Sequence, residues 1–122
     1  MSRSRRAYAH DAVVVLAPDG DERAPGGAIT VALCGSWSHD PPCPLAPHHT
    51  AADRSGDRVH LRILFATEPS NEGVVRTLVE QALARGWADD PHGIRTRWRL
   101  VRARASAVRP QEREQAARLA QG

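Results

Sequence analysis

The sequence lacks several features that would assign it to a class directly. It contains no lysine, so all 17 of its lysine-or-arginine positions are arginine. No apolar run approaches the roughly 20 residues that a membrane-spanning helix needs, which predicts no membrane partner. There is also no glycine-rich phosphate loop, because Gly26 and Gly27 precede a predicted strand rather than a helix.

Cysteine is scarce as well, and the pattern of the two that are present is unusual. Cys34 and Cys43 do not form the C-x2-C pair of zinc fingers and zinc ribbons.

The N-terminal letters SRRAYAH resemble a twin-arginine export motif, but only six apolar residues follow, fewer than the ~7–15 of an export signal. We therefore expect a cytoplasmic protein whose thiols are reduced.

The length and composition predict one globular domain. The chain has 122 residues, of which 41% are hydrophobic and 25% are charged, and these values are ordinary for a folded protein. Residues 1–9 carry three arginines and no acid, which predicts a disordered basic arm. We expect residues 10–122 to form a single domain, interrupted by a loop at 35–57 that is rich in cysteine, histidine and proline.

Hydrophobic periodicity predicts four strands and two helices. Apolar runs or alternation over 11–17, 28–34, 58–66 and 94–105 predict strands. An apolar stripe with a stop at Gly86 predicts a main helix at 71–85, and Pro110 opens a weaker C-terminal helix whose apolar residues are mostly alanine. The order β-β-β-α-β-α predicts an α+β two-layer sandwich with a four-stranded, mainly antiparallel sheet.

The segment 34–49 gathers both cysteines and three histidines at the spacing C-x4-H-x3-C-x4-H-H. Tetrahedral zinc takes four nitrogen or sulfur ligands, commonly in short-range pairs. If 28–34 and 58–66 are paired strands, His60 would project from the same outer face of the sheet as the first cysteine. The leading hypothesis is a small module that binds zinc or a similar transition metal and contacts an unknown protein or small molecule. Its candidate ligands are Cys34, His39, Cys43, His48, His49 and His60.

Several alternatives remain open. The clustering could be incidental, or the two cysteines could form a disulfide. A site with only three protein ligands would leave a coordination position free and indicate a metalloenzyme. A further hypothesis is nucleic-acid binding, because residues 95–122 carry eight arginines against two acids. The candidate contacts for nucleic acid are Arg95, Arg97, Arg99, Arg102 and Arg104.

Overall fold

Five strands and three α-helices make up the computed structural model, which describes residues 5–35 and 46–121. In chain order the elements are β1 (Arg6–Leu16), α1 (Ala24–Cys34), β2 (His48–Ser55), β3 (Arg58–Thr67), α2 (Glu72–Arg85), β4 (Trp87–Asp89), β5 (Arg95–Ser106) and α3 (Arg113–Gln121). The strands form one antiparallel sheet in the order β2-β3-β1-β5-β4, and this sheet curls into a half-barrel. Without the short β4, the connectivity is that of the split β-α-β motif.

The hydrophobic core lies between the sheet and the first two helices. Helices α1 and α2 pack against each other and cover one side of the sheet, which we call the inner face. Alternate residues of β1 and β3 point into this core, as expected for strands. The largest of the fully buried core side chains are Leu16, Ile29, Leu61, Ile63, Phe65 and Leu83.

The opposite side of the sheet, the outer face, is covered only in part. Helix α3 contacts β3 and β1, and it buries Ala116. Ala9, Leu64 and Ala66 are also buried on this side. The sheet therefore has helices on both faces, and the expected four-stranded, two-layer sandwich is wrong, although the mixed α+β class is confirmed.

The prediction of a strand at 28–34 is wrong, because these residues belong to α1. Pro25 lies in the first turn of this helix, where its fixed φ is favourable and its missing N–H costs nothing. Gly35 ends the helix with φ +86°, and its N–H donates to the carbonyl of Val31 at 2.8 Å. Ile29 and Leu33 are buried four residues apart, which is the helical spacing.

Two expectations about loops are also corrected. Strand β1 begins at Arg6, so residues 6–9 are part of the sheet rather than of a disordered arm, and residues 1–4 lie outside the described part of the chain. The expected loop at 35–57 contains strand β2 over His48–Ser55. The remaining predicted elements are present: the bounds of β3, α2, β5 and α3 lie within three residues of the prediction, and β1 begins five residues earlier than predicted. None of the described helices has the length and apolar character needed to cross a membrane.

Candidate functional site

A β-bulge at Val101 sets the direction of the arginine side chains on β5. Val13 of β1 pairs with Arg102, whereas the next residue, Val14, pairs with Leu100, so Val101 has no partner in the ladder. An extra residue in one strand shifts the alternation of the side chains that follow it. Arginines at odd positions before the bulge and at even positions after it therefore all lie on the outer face: Arg95, Arg97, Arg99, Arg102 and Arg104.

The neighbouring strands complete three rows of side chains across the outer face. Each row contains a basic residue of β3, a residue of β1 and an arginine of β5, and adjacent strands are about 4.8 Å apart. The rows are Arg58, Val15 and Arg99; His60, Val13 and Arg102; Arg62, Asp11 and Arg104. We refer to these three rows, together with Arg95 and Arg97, as the basic face.

Most arginines of the basic face have no acidic partner. Arg95 pairs with Asp89, with its Nε 2.8 Å from Oδ1. Arg62 is also paired, with Asp11 and Glu112. The other five are exposed, and none forms a salt bridge with any residue in the ranges 5–35 and 46–121: Arg58, Arg97, Arg99, Arg102 and Arg104. Their uncompensated charge faces solvent and gives this side of the sheet a positive potential.

Arg62 joins the sheet to the segment that leads into α3. Its Nε and Nη2 donate to the two carboxylate oxygens of Glu112 at 3.0 and 2.7 Å, its Nη1 donates to Asp11 and Ser106, and its Nη2 also donates to the carbonyl of Ala107. The hydrogen bonds from Arg62 lower the pKa of Glu112 to about 2. Burial opposes ionisation of Asp11, but hydrogen bonds to Ser106 and Arg62 outweigh it and lower the pKa of this carboxyl. Arg62 is therefore structural, and α3 is fixed against the outer face.

The basic face is concave at its centre. A cavity of about 490 Å³ lies there, between β2, β3 and the end of β5. Two acids contribute to its lining, Asp11 and Asp53. The basic side chains outnumber them: His60, Arg62, Arg102, Arg104 and Arg109. The surroundings favour an anion over a cation.

The rings of Tyr8 and Trp98 lie away from the basic face, whereas Trp87 lies at its edge, opposite Arg97. The ring of Tyr8 stacks on Phe65 at 5.5 Å on the inner face, and Trp98 is buried there with its Nε1 donating to the carbonyl of Leu83. Trp87 contacts two guanidinium groups, with Arg85 at 3.4 Å and Arg95 at 3.8 Å from the ring centroid. Among the described residues, the central rows of the basic face therefore contain one ring, the imidazole of His60, and no phenylalanine, tyrosine or tryptophan side chain on which a nucleic-acid base could stack.

The structure does not bring the six candidate metal ligands together in its described part. His39 and Cys43 lie outside the described residues. His48 lies near Cys34, with its Nδ1 3.9 Å from Sγ of the cysteine. His49 is exposed on β2, the strand that also carries His48. His60 projects from the outer face, whereas Cys34 is at the end of α1 on the inner side, so the expectation that they share one face is wrong. Residues 5–35 and 46–121 contain no group of three or more His, Cys, Asp or Glu side chains that could hold a metal ion.

Cys34 is disulfide-bonded. A metal ligand must be a thiolate, and a disulfide sulfur is not one. Stable disulfides are also typical of oxidising compartments, so this state does not favour the expected cytoplasmic location. Zinc binding by the 34–49 segment and the cytoplasmic location both stay predictions.

Comparisons with known proteins give no independent indication of function. The chain matches no protein-family model, no curated protein and no solved structure at a significant level. Functional inference therefore depends on the site itself. The arginines of β5 were identifiable from the sequence, whereas Arg58 was missed because it is the first residue of its strand and precedes the apolar alternation.

Proposed function

We propose that the protein binds nucleic acid through the phosphate backbone, using the basic face. The observation that carries this proposal is the set of five exposed arginines without an acidic partner in the described part of the chain: Arg58, Arg97, Arg99, Arg102 and Arg104. Guanidinium groups bind phosphate oxygens with two parallel hydrogen bonds, and their charge is not lost at neutral pH.

The arrangement of the charges favours an extended anion over a small one. Along β5, arginines two residues apart are about 6.7 Å apart, because a strand rises about 3.3–3.4 Å per residue. Arg58 lies across the sheet from Arg99, separated from it by β1 alone. A patch of this extent contacts several phosphates at once, as a nucleic-acid strand would present them.

The lack of a phenylalanine, tyrosine or tryptophan side chain in the central rows, as far as the chain is described, suggests which part of the nucleic acid is recognised. Phosphate contacts position a nucleic acid but carry no sequence information, and base stacking needs an exposed ring. We therefore expect binding with little sequence preference and with comparable affinity for unrelated sequences of one length.

The salt dependence of binding tests this proposal. On duplex DNA the logarithm of the affinity falls with the logarithm of salt concentration by about 0.9 per phosphate contact, so five contacts give a slope of about −4.5. Fluorescence anisotropy with a labelled duplex of about 20 base pairs, between 50 and 200 mM KCl, measures the slope. A slope near zero would rule the proposal out.

Two variants that remove the same charge locate the binding surface. Arg99→Gln removes a contact from the basic face and should make the slope shallower by about 0.9. Arg23→Gln is the matched control, because this side chain is 83% exposed, precedes α1 and pairs with Asp21. It should leave the slope unchanged. Equal effects of the two variants would show that net charge, and not the basic face, determines binding.

A further inference from the structure

A second cleft lies away from the basic face, between α1 and β2. It encloses about 830 Å³. Gly26 and Thr30 lie one helical turn apart on α1, and they face His48 and Thr50, which are two residues apart on β2. A Cβ atom at Gly26 would lie 3.4 Å from the side chain of Thr50, an ordinary van der Waals distance, so α1 and β2 approach each other closely here.

Thr30 and His48 have the geometry of a nucleophile and its general base. The hydroxyl oxygen of Thr30 is 3.0 Å from Nε2 of His48. The other ring nitrogen, Nδ1, is 3.0 Å from the carbonyl oxygen of Ala46. A carbonyl can only accept, so this contact places the proton of a neutral imidazole on Nδ1 and leaves Nε2 as an acceptor. A hydroxyl, a base and a group that orients the base are the parts of an activated nucleophile.

The hydroxyl of Thr30 has a second partner, the carbonyl oxygen of Gly26 at 3.1 Å. The hydroxyl has one proton, so it donates to only one of these two acceptors at a time. The proton can change from one acceptor to the other without rotation of the side chain about Cα–Cβ. With neutral His48, the contact to Nε2 is satisfied only when Thr30 donates to it, because Nε2 then has no proton of its own.

An unsatisfied hydroxyl next to this pair points to a ligand. Oγ1 of Thr50 is buried and has no hydrogen-bond partner among the described residues, although Thr50 lines the cleft. Buried polar atoms are rarely left without a partner. The hydroxyl is thus a donor without an acceptor in the described chain, at the wall of the cleft that Thr30 also lines, and an acyl-transfer site needs such a donor.

We infer that Thr30 and His48 form a nucleophile–base pair that hydrolyses small, uncharged carboxylic esters bound in this cleft. The charges at the cleft disfavour anionic substrates, because Asp21 and Glu22 outnumber Arg23, whose guanidinium is already held by both carboxylate oxygens of Asp21. This inference is independent of the proposed binding of nucleic acid.

The reaction proceeds in two balanced steps. Oγ1 of Thr30 attacks the ester carbonyl carbon while its proton passes to Nε2 of His48, and Thr50 donates to the carbonyl oxygen as negative charge develops there. The C–O bond to the alcohol breaks, and the alcohol leaves with the proton from His48. Water then attacks the carbonyl carbon of the acyl-threonine while His48 takes a proton from that water. The bond between this carbon and Oγ1 of Thr30 breaks, and His48 returns the proton to Oγ1 as the free acid leaves.

p-Nitrophenyl acetate is a suitable probe, since nitrophenol release is followed by absorbance and the acetylated chain by mass. The chain has no lysine, so no side-chain amine competes for the acetyl group. Peptide mapping of the quenched wild-type protein should place the acetyl group on Thr30. Because general base catalysis contributes about 10²–10⁴-fold, His48→Asn and Thr30→Val should each slow hydrolysis by about 100-fold or more, whereas Thr30→Ser should retain it.

The matched control is His92→Asn, which removes an exposed imidazole from the turn before β5 and should leave the rate unchanged. Retention of activity by Thr30→Val, or an acetyl group found only on other residues of the wild type, would overturn the inference. If Thr30→Val proves unfolded by circular dichroism, the position of the acetyl group in the wild-type chain still decides between the two outcomes.

Discussion

Loss of the Glu112 carboxylate should loosen the C-terminal helix. Glu112 accepts two hydrogen bonds from Arg62 and one from the backbone N–H of Arg109, and its side chain is only 16% exposed. Glu112→Gln keeps the size of the side chain but removes its charge. The guanidinium of Arg62 then stays on the outer face with one of its two carboxylate partners missing.

The size of the effect follows from the pKa of Glu112. A reduction from 4.5 to about 2 corresponds to roughly 3.4 kcal/mol, at 1.36 kcal/mol per pH unit. Because solvent reaches both partners, with Arg62 14% exposed, we expect a smaller loss of about 1–2 kcal/mol in the free energy of unfolding. For a chain of this length, that lowers Tm by about 3–10 °C.

The pH dependence has a definite sign. The carboxyl has a lower pKa in the folded state than in the unfolded state, so its contribution is complete above about pH 4.5 and is lost as the pH falls towards about 2. Thermal unfolding followed by circular dichroism at several pH values should show the difference between wild type and Glu112→Gln disappearing over that interval.

Glu114→Gln is the control for this prediction. Glu114 also pairs with an arginine, Arg118, but its side chain is 90% exposed, and the pair is an ordinary i,i+4 contact on α3. Its replacement should change Tm little at any pH. If Glu112→Gln is no more destabilising than Glu114→Gln at neutral pH, the account of Arg62 as the link between sheet and helix is wrong.

Three further predictions concern stability and use the same assay. Leu83→Ala should cost about 2–5 kcal/mol, since this side chain of α2 is fully buried. Gly86→Ala should lower the free energy of unfolding more than Gly93→Ala. Both glycines have φ near +80°, but only at Gly86 would the new Cβ lie 2.9 Å from the carbonyl oxygen of Trp98. Equal losses for the two variants would contradict this contact. Burial lowers the pKa of His10, so as the pH falls this imidazole is protonated in the unfolded chain before it is protonated in the folded one, and stability should fall as the pH drops through about 6.5. A flat pH response of the wild type in this range, or the same slope in His10→Gln, would contradict this prediction.

Much of the fold could be predicted because its central elements carry strong periodic patterns. Val59, Leu61, Ile63 and Phe65 alternate in the sequence and are all buried on the inner face of β3. In the helix at 72–85, the buried residues begin at Val75 and recur at helical spacing, and the helix ends at Gly86. In both cases local preference and tertiary burial agree, so the sequence pattern is enough.

The elements that were missed are those in which burial and local pattern do not coincide. Helix α1 is apolar on most sides, and a short apolar run has no period that separates a helix from a strand. Strand β2 lies at the edge of the sheet, where none of its residues is fully buried, so it has no apolar alternation. Strand β4 has three residues and is too short to carry a pattern.

The two candidate sites also differ in how far the sequence pattern predicts their geometry. The arginines of β5 are visible in the sequence, but strict alternation would turn Arg102 and Arg104 towards the inner face, where Leu100 and Ala103 now pack against the core. Only the extra residue at Val101 keeps an apolar inner side and a basic outer side through the whole strand. The pairing of Thr30 with His48 depends on a helix that the sequence does not reveal. The charge of the basic face was therefore predictable and its geometry was not, because the geometry depends on the register between β1 and β5.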